Sequence, residues 1–296
     1  MQQRQPRLPV RKTYKLYIGG AFPRSESGRS YPVADAKGHH LAHASRASRK
    51  DVRDAVRAAR KAFDGWAARS AYNRGQILYR IAEMLEGRAA QLAAEVRSAE
   101  GSKRADAARA VAKAVDRWVW YAGWADKLAQ VLGSSNQVAG PYFNFSVPEP
   151  TGVVGVVAPA QSSLLGLVSR LAPVIVSGNS AVVLASESRP LPAVTLTEVL
   201  ATSDLPGGVV NLLTGRTAEL IGPLSGHMDV NGLDLAGLDP ALWRDAELAA
   251  AESVKRVAGP APDLDPAGWL DDARGQDPYW IAAFLEIKTV WHPSGV

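Results

Sequence analysis

The chain has 296 residues, 47% of them hydrophobic and 21% charged, with a net charge of +5 and no cysteine. A chain this long can bury roughly three quarters of its unfolded surface, so it needs no covalent or metal staple. Lack of cysteine excludes disulfides, thiolate metal sites and a cysteine nucleophile among these residues. No apolar run approaches the ~18 residues of a membrane span, which leaves a globular, cytoplasmic protein as the expectation.

The opening MQQRQPRLPVRK is basic without an apolar core behind it, so a frayed tail is expected and not a secretory signal. Residues 14–34 alternate and carry Gly-Gly, Pro and Ser-Gly turns, the pattern of a small meander of short strands. His39, His40 and His43 follow, with no acidic or thiol partner beside them; a surface turn is expected there and no metal site. Ser48 is a candidate N-cap. Behind it Val52, Ala55, Val56, Ala59 and Phe63 recur at helical spacing. Arg46, Arg49, Lys50, Arg53, Arg57, Arg60 and Lys61 gather in the same segment. The stripe lacks interleaved aromatics, so it reads as a solvated helix face, with nucleic acid or acidic lipid as the alternative partner.

A second amphipathic helix runs through Ile77, Leu78, Ile81 and Leu85 and on, past Gly87, to Leu92 and Val96. A third covers 103–130, and its Trp118, Trp120, Tyr121 and Trp124 are expected to pack in a core. Residues 131–147 switch to alternation around a glycine turn, a β-ribbon. From 151, apolar strands at 152–158, 180–185, 208–213 and 229–235 alternate with helices near 163–177, 190–203, 216–225 and 239–257. That order predicts an α/β fold with a doubly wound, parallel, Rossmann-like sheet. Residues 259–278, rich in Pro and Asp, are expected to be a linker with at most one helical turn. A last strand is expected at 285–291. Ser162 and Ser163 follow a strand but lack the glycines of a nucleophile elbow, which favours a helix-capping role.

KLYIGGAF (15–22), DVRDAVRAARKAFDGWAARS (51–70), GVVGVVAP (152–159), LAPVIVSGNSAVVL (171–184), LPGGVVNLLTG (205–215) and FLEIKTVW (284–291) together resemble the aldehyde dehydrogenase superfamily. The resemblance implies a division of the chain. Residues 1–130 would give the N-terminal strands and helices of a nicotinamide-cofactor domain, 131–150 a protruding oligomerisation ribbon, and 151–258 the Rossmann-like part. Residues 259–278 would be a linker in place of the catalytic domain, and 279–296 an oligomerisation strand.

The family's chemistry implies a thiolate that attacks the aldehyde, an amide donor for the oxyanion and a glutamate base. Here the cysteine is absent, the ELGGK segment carrying the base has no counterpart, and the Pro-Trp-Asn-Phe-Pro stretch is Pro159, Ala160, Gln161, Ser162, Ser163. The resemblance places cofactor contacts at Glu187, Gly215 and Gly237. The adenosine-binding lysine is lost from ASE (185–187), and Leu238 replaces the serine of the pyrophosphate turn. No firm cofactor is expected, and weak NAD(P) binding at most.

The resulting expectation is a chain that is not an enzyme: no catalytic residue, and assembly with a full-length aldehyde dehydrogenase or with itself. Phe143, Phe145, Phe284, Ile287, Val290 and Trp291 are the expected interface residues, because an exposed aromatic strand needs a partner. An NAD(P)-binding oxidoreductase that uses the residual site stays open, as does a basic nucleic-acid module, though neither nucleic acid nor membrane is the expected partner.

Overall fold

The computed structural model describes residues 11–258 and 264–294; the expected tail (1–10) and the start of the expected linker (259–263) lie outside the described residues. In chain order the elements are β1 (Thr13–Tyr14), β2 (Ser30–Ala34), β3 (His40–Ser45), α1 (Arg49–Ala67), α2 (Ala71–Glu86), α3 (Ala89–Glu100), α4 (Arg104–Ala122), α5 (Leu128–Leu132), β4 (Ser134–Asn136) and β5 (Tyr142–Pro150). They continue with β6 (Val153–Val157), α6 (Leu165–Val176), β7 (Ser180–Leu184), α7 (Leu191–Leu200), β8 (Val210–Leu213), α8 (Thr217–Ser225), β9 (Gly232–Asp234), α9 (Pro240–Ala251) and β10 (Arg256–Ala258). Last come α10 (Pro266–Leu270), α11 (Asp272–Gly275), α12 (Pro278–Ala282) and β11 (Leu285–Pro293).

The centre is a parallel sheet in the order β10-β9-β6-β7-β8. Its inner strands β6 and β7 are buried at every position, as a sheet covered on both faces requires. Side chains alternate between two cores with period two. Val154 and Val156 join the core formed with α2, α3, α4 and α6, and Val153 and Val157 join the one formed with α1, α8 and α9. Sequential strands leave β6 in opposite directions, so the switch point lies between β6 and β9, where open α/β sheets place their ligands.

Local chemistry sets several boundaries. Ser48 caps α1: its Oγ accepts from the Lys50 and Asp51 amides, and Asp51 Oδ2 accepts from the Ser48 amide at 2.8 Å. The helix expected to run through Leu92 and Val96 breaks at Gly87 into α2 and α3. The histidine segment, expected as a turn, is strand β3 from His40 onward: it pairs with both β1 and β2 and buries Ala42 and Ala44. The helix expected to reach 257 stops at Ala251. Val254 takes a φ of +53°, and the chain returns as β10 beside β9, so sheet pairing prevails over helical periodicity.

The expected linker is also corrected. Its described part holds two short helices, α10 and α11, and the start of α12: Asp265 and Asp277 cap α10 and α12 with Pro266 and Pro278 in the first turn, and Asp271 caps α11. Trp269, Ile281 and Phe284 sink into the core beside α6. The fully buried Arg117 of α4 clamps the segment by donating to Ser169 Oγ at 2.7 Å, to the Trp269 carbonyl at 3.2 Å and to the Gly275 carbonyl.

A separate sheet, β11-β5-β4, forms the ribbon. β11 pairs antiparallel with β5 over its whole length, from Leu285 opposite Pro150 to Pro293 opposite Tyr142. Among the described residues no helix is long and apolar enough to cross a membrane.

Candidate functional site

At the switch point the chain leaves β6 through Ala158 and Pro159 and leaves β9 through Leu235, Ala236 and Gly237. A Cβ on residue 237 would lie 2.2 Å from the Ala158 carbonyl oxygen, so glycine is required by the chain's own backbone. The Gly237 amide donates to the Val157 carbonyl at 3.2 Å.

From this point a cleft of about 620 Å³ opens toward β7 and β8. Tyr31 of β2, Glu187 beyond β7, Arg216 and Thr217 at the start of α8, and Gly237 and Leu242 at α9 line it. Glu187 is already engaged, pairing with Arg216 and accepting from the Thr217 amide at 3.1 Å. Tyr31 is 6% exposed and its hydroxyl has no hydrogen-bond partner. Burial, and then the charge of Glu187, push its pKa up, so it is a proton donor at neutral pH. Of the three expected cofactor contacts, Glu187 and Gly237 line the cleft. Gly215 does not; a Cβ there would meet the Ala47 amide at 3.1 Å, so its role is to pack the β8 exit against the β3–α1 loop.

A pyrophosphate needs free helix N-termini, and those flanking the switch point are occupied. At α6, Ser163 donates its amide (2.8 Å) and hydroxyl (2.7 Å) to Glu100, and Ser162 Oγ takes the Gly166 amide at 2.9 Å. At α9, Asp239 takes the Ala241 amide at 2.9 Å, Pro240 has no amide hydrogen, and buried Leu238 donates to Leu235. A ribose beside Glu187 would have to displace Arg216 or the Thr217 amide from its carboxylate, and the N-terminus of α9 does not fit a pyrophosphate. Sequence reasoning missed Tyr31, Arg216, Glu100 and Asp239. Asp239-Pro240 carried a capping signal, whereas only folding brings Arg216 to Glu187 or Glu100 to Ser163.

The expected interface residues divide. Phe143, Phe145 and Val290 share one face of the ribbon, since opposed residues in an antiparallel pair point the same way: Val290 lies opposite Phe145 and His292 opposite Phe143. Ile287 and Trp291 lie on the other face. There Asn136, Ser146 and Thr289 are joined by side-chain hydrogen bonds of 2.9 Å, and Trp291 meets Tyr142 edge-on. Ile287 and Trp291 are more than half exposed. Phe284 is no surface residue: it is 1% exposed in the chain's own core, and its carbonyl accepts from Asn179 at 2.8 Å and the Thr151 amide at 3.2 Å.

Much of the basic stripe is bonded within the chain. Lys50 pairs with Glu26, Arg46 with Glu219 and Arg53 with Asp54, and Arg60 donates to the Asp229 carbonyl. Among the described residues no group of three potential metal ligands is present.

The sequence pattern of the aldehyde dehydrogenase family matches residues 23–259. Benzaldehyde dehydrogenase of Antirrhinum majus is 32% identical over 84% of this chain and 47% of its own length, and retinal dehydrogenase 2 of Homo sapiens is 31% identical over 88% and 51%. HpcC from Thermus thermophilus superposes with a TM-score of 0.80 at 31% identity, covering 84% of this chain and 48% of its own. PnpE in complex with nicotinamide adenine dinucleotide gives 0.78 at 27%, covering 82% and 50%. The chain therefore spans about half the length of the curated relatives it matches. These relatives overturn the expectation that the chain is not an enzyme: named dehydrogenases match most of it, and a missing cysteine in a half-length match says nothing against catalysis by the whole. By sequence pattern and fold, the chain belongs to the aldehyde dehydrogenase family.

Proposed function

We propose that the chain serves aldehyde oxidation as a dinucleotide-type unit. It holds the adenosine end of NAD(P) weakly in the cleft between β2, α8 and α9. Through the ribbon of β4, β5 and β11 it joins an aldehyde dehydrogenase chain, and the cysteine comes from outside these 296 residues. The observation that carries this reading is a five-stranded parallel sheet with a cleft at its carboxyl edge, beside a three-stranded ribbon, in a sequence without cysteine. The NAD complex of the structurally similar PnpE supports the choice of ligand. If bound, the dinucleotide would supply a hydride acceptor. This chain's own part is to receive a ribose beside Glu187, in the cleft that Ala218 and Leu242 also line.

Saturation-transfer NMR with NAD and NADP tests the cleft. The adenine protons should receive saturation from the protein and the nicotinamide protons much less, because α6 and α9 leave no free cradle for the pyrophosphate. Absence of transfer to any proton of either compound would overturn the reading.

A further inference from the structure

We propose that the groove between α2 and α4 binds a linear aliphatic diamine or polyamine laid along it, with an ammonium toward each end and the alkyl chain between. The groove has a volume of about 580 Å³, within the range of small-molecule sites, and shares no lining residue with the cleft at the switch point. Its floor is built of small residues because the two helices nearly touch there. A Cβ on Gly75 would lie 3.1 Å from the Ala122 carbonyl oxygen and 3.3 Å from Ala125 Cβ. That narrow, apolar floor suits a row of methylenes. Along one wall Tyr72 and Tyr79 stand about two turns apart on one face of α2, and they are 69% and 52% exposed. Rings left this open contribute little packing, and their faces are free for a cation.

The charges of the lining favour a cation. Three carboxylates, Glu83, Asp126 and Asp204, stand against two cations, Arg80 and Lys127. Both cations are held within the lining: Arg80 donates to Glu83 at 2.8 Å, and Lys127 to Asp126 at 3.2 Å and to the Gly123 carbonyl. The remaining negative charge is that of Asp204, which lies near Arg80 without bonding it. The C-terminal ends of α4 and α7 add to it. Neither has a basic residue in its last turn, and both reach the groove, through Ala122 and through Asp204 in the turn that follows α7. Spacing then selects the length. Asp126 follows Ala125, which packs on Gly75, whereas Glu83 lies eight residues beyond Gly75, about 12 Å of helix rise. Arg80 takes only Oε2 of Glu83 and Lys127 only Oδ1 of Asp126, so an ammonium reaches the other oxygen of each without displacing its partner. The chain as a whole carries +5 and repels polyamines, so the attraction has to come from this local excess.

Isothermal titration calorimetry of the full chain with spermidine, 1,8-diaminooctane, putrescine and the neutral 1,8-octanediol, at one ionic strength, tests the assignment. Spermidine and 1,8-diaminooctane have terminal nitrogens equally far apart. Both should bind about fivefold or more tightly than the shorter putrescine, the scale of one exposed ion pair, and octanediol should not bind. Asp204→Asn keeps a residue that tolerates the backbone φ of +63° and should weaken 1,8-diaminooctane about fivefold. Tyr79→Leu should weaken it about threefold, and Tyr79→Phe, which keeps the ring face, should not. Glu247 is an exposed residue of α9 on the far side of the sheet, and Glu247→Gln should change nothing. Octanediol matching the diamine, putrescine matching 1,8-diaminooctane, or an affinity unmoved by Asp204→Asn or by Tyr79→Leu would overturn the proposal. A loss with Glu247→Gln as large as with Asp204→Asn would reduce the binding to bulk charge and overturn it too. So would failure of every amine to bind at concentrations on the order of 10 mM.

Discussion

Arg170 and Asp234 form a buried ion pair across the first core: Arg170 Nε and Nη2 lie 2.7 and 2.6 Å from Asp234 Oδ2, and the side chains are 4% and 1% exposed. Trp280 of α12 covers the guanidinium at 4.4 Å from its ring centre. The pair links the switch-point end of β9 to α6 and, through Trp280, to the segment that follows the family match.

Asp234→Ala should therefore cost about 3–5 kcal/mol in urea denaturation, because it leaves Arg170 charged and buried without its partner. Replacing both, Arg170→Met with Asp234→Leu, should recover most of that loss. A single variant as stable as the parent would show that the charge escapes to water.

Phe284 and Gly232 fit together at the root of the ribbon. A Cβ at residue 232 would lie 2.8 Å from Phe284 Cδ1. Gly232→Ala should therefore destabilise the chain by about 1–3 kcal/mol through overpacking. Phe284→Ala should cost about 3–5 kcal/mol through the cavity it leaves. In the double variant the costs should fall short of additive, since the methyl partly fills the space. Strictly additive costs would mean that the two side chains do not meet.

Arg256 and Glu286 tie β10 to β11 with two hydrogen bonds of 2.7 Å. The bond from Arg256 holds the Glu286 carboxyl below its ordinary value of 4.5. A lowered carboxyl pKa stabilises the fold above that ordinary value, and the contribution is lost as pH falls through the lowered one. Both side chains are substantially exposed, at 41% and 53%. At most about 1 kcal/mol is therefore involved. Glu286→Gln should flatten the stability profile slightly below pH 4.5 and leave its shape above that unchanged. A change confined to neutral pH would contradict the assignment.

Most of the sheet was legible because its inner strands are apolar throughout and its helices carry period-3.6 stripes; GVVGVV and SAVVL could hardly be anything but buried parallel strands. The ribbon was legible from alternation at Tyr142–Phe145 and the last strand from alternation at Leu285–Trp291, whereas their pairing with each other is set by the tertiary fold. Residues 264–282 were not legible, since their helices are each about one turn long, specified by single Asp-Pro pairs and by the distant Arg117. Phe284 was misplaced because strand alternation says which residues share a face and nothing about where the strand meets the core. The site was half legible. Glu187 and Gly237 stand where a motif put them, but Arg216 and Tyr31 reach the cleft only through the tertiary fold. The cysteine count excludes a cysteine nucleophile among these residues and does not extend to the absence of an enzyme.

The mass of the assembly formed with a cysteine-bearing aldehyde dehydrogenase chain tests the central claim most directly. Ile287 and Trp291 are exposed on the ribbon, so Ile287→Lys with Trp291→Lys should leave the fold intact by circular dichroism. In multi-angle light scattering, the intact chain is predicted to form a complex of defined stoichiometry with that partner, and the double variant to elute apart from it. An intact chain that stays monomeric both alone and in the mixture would contradict the account.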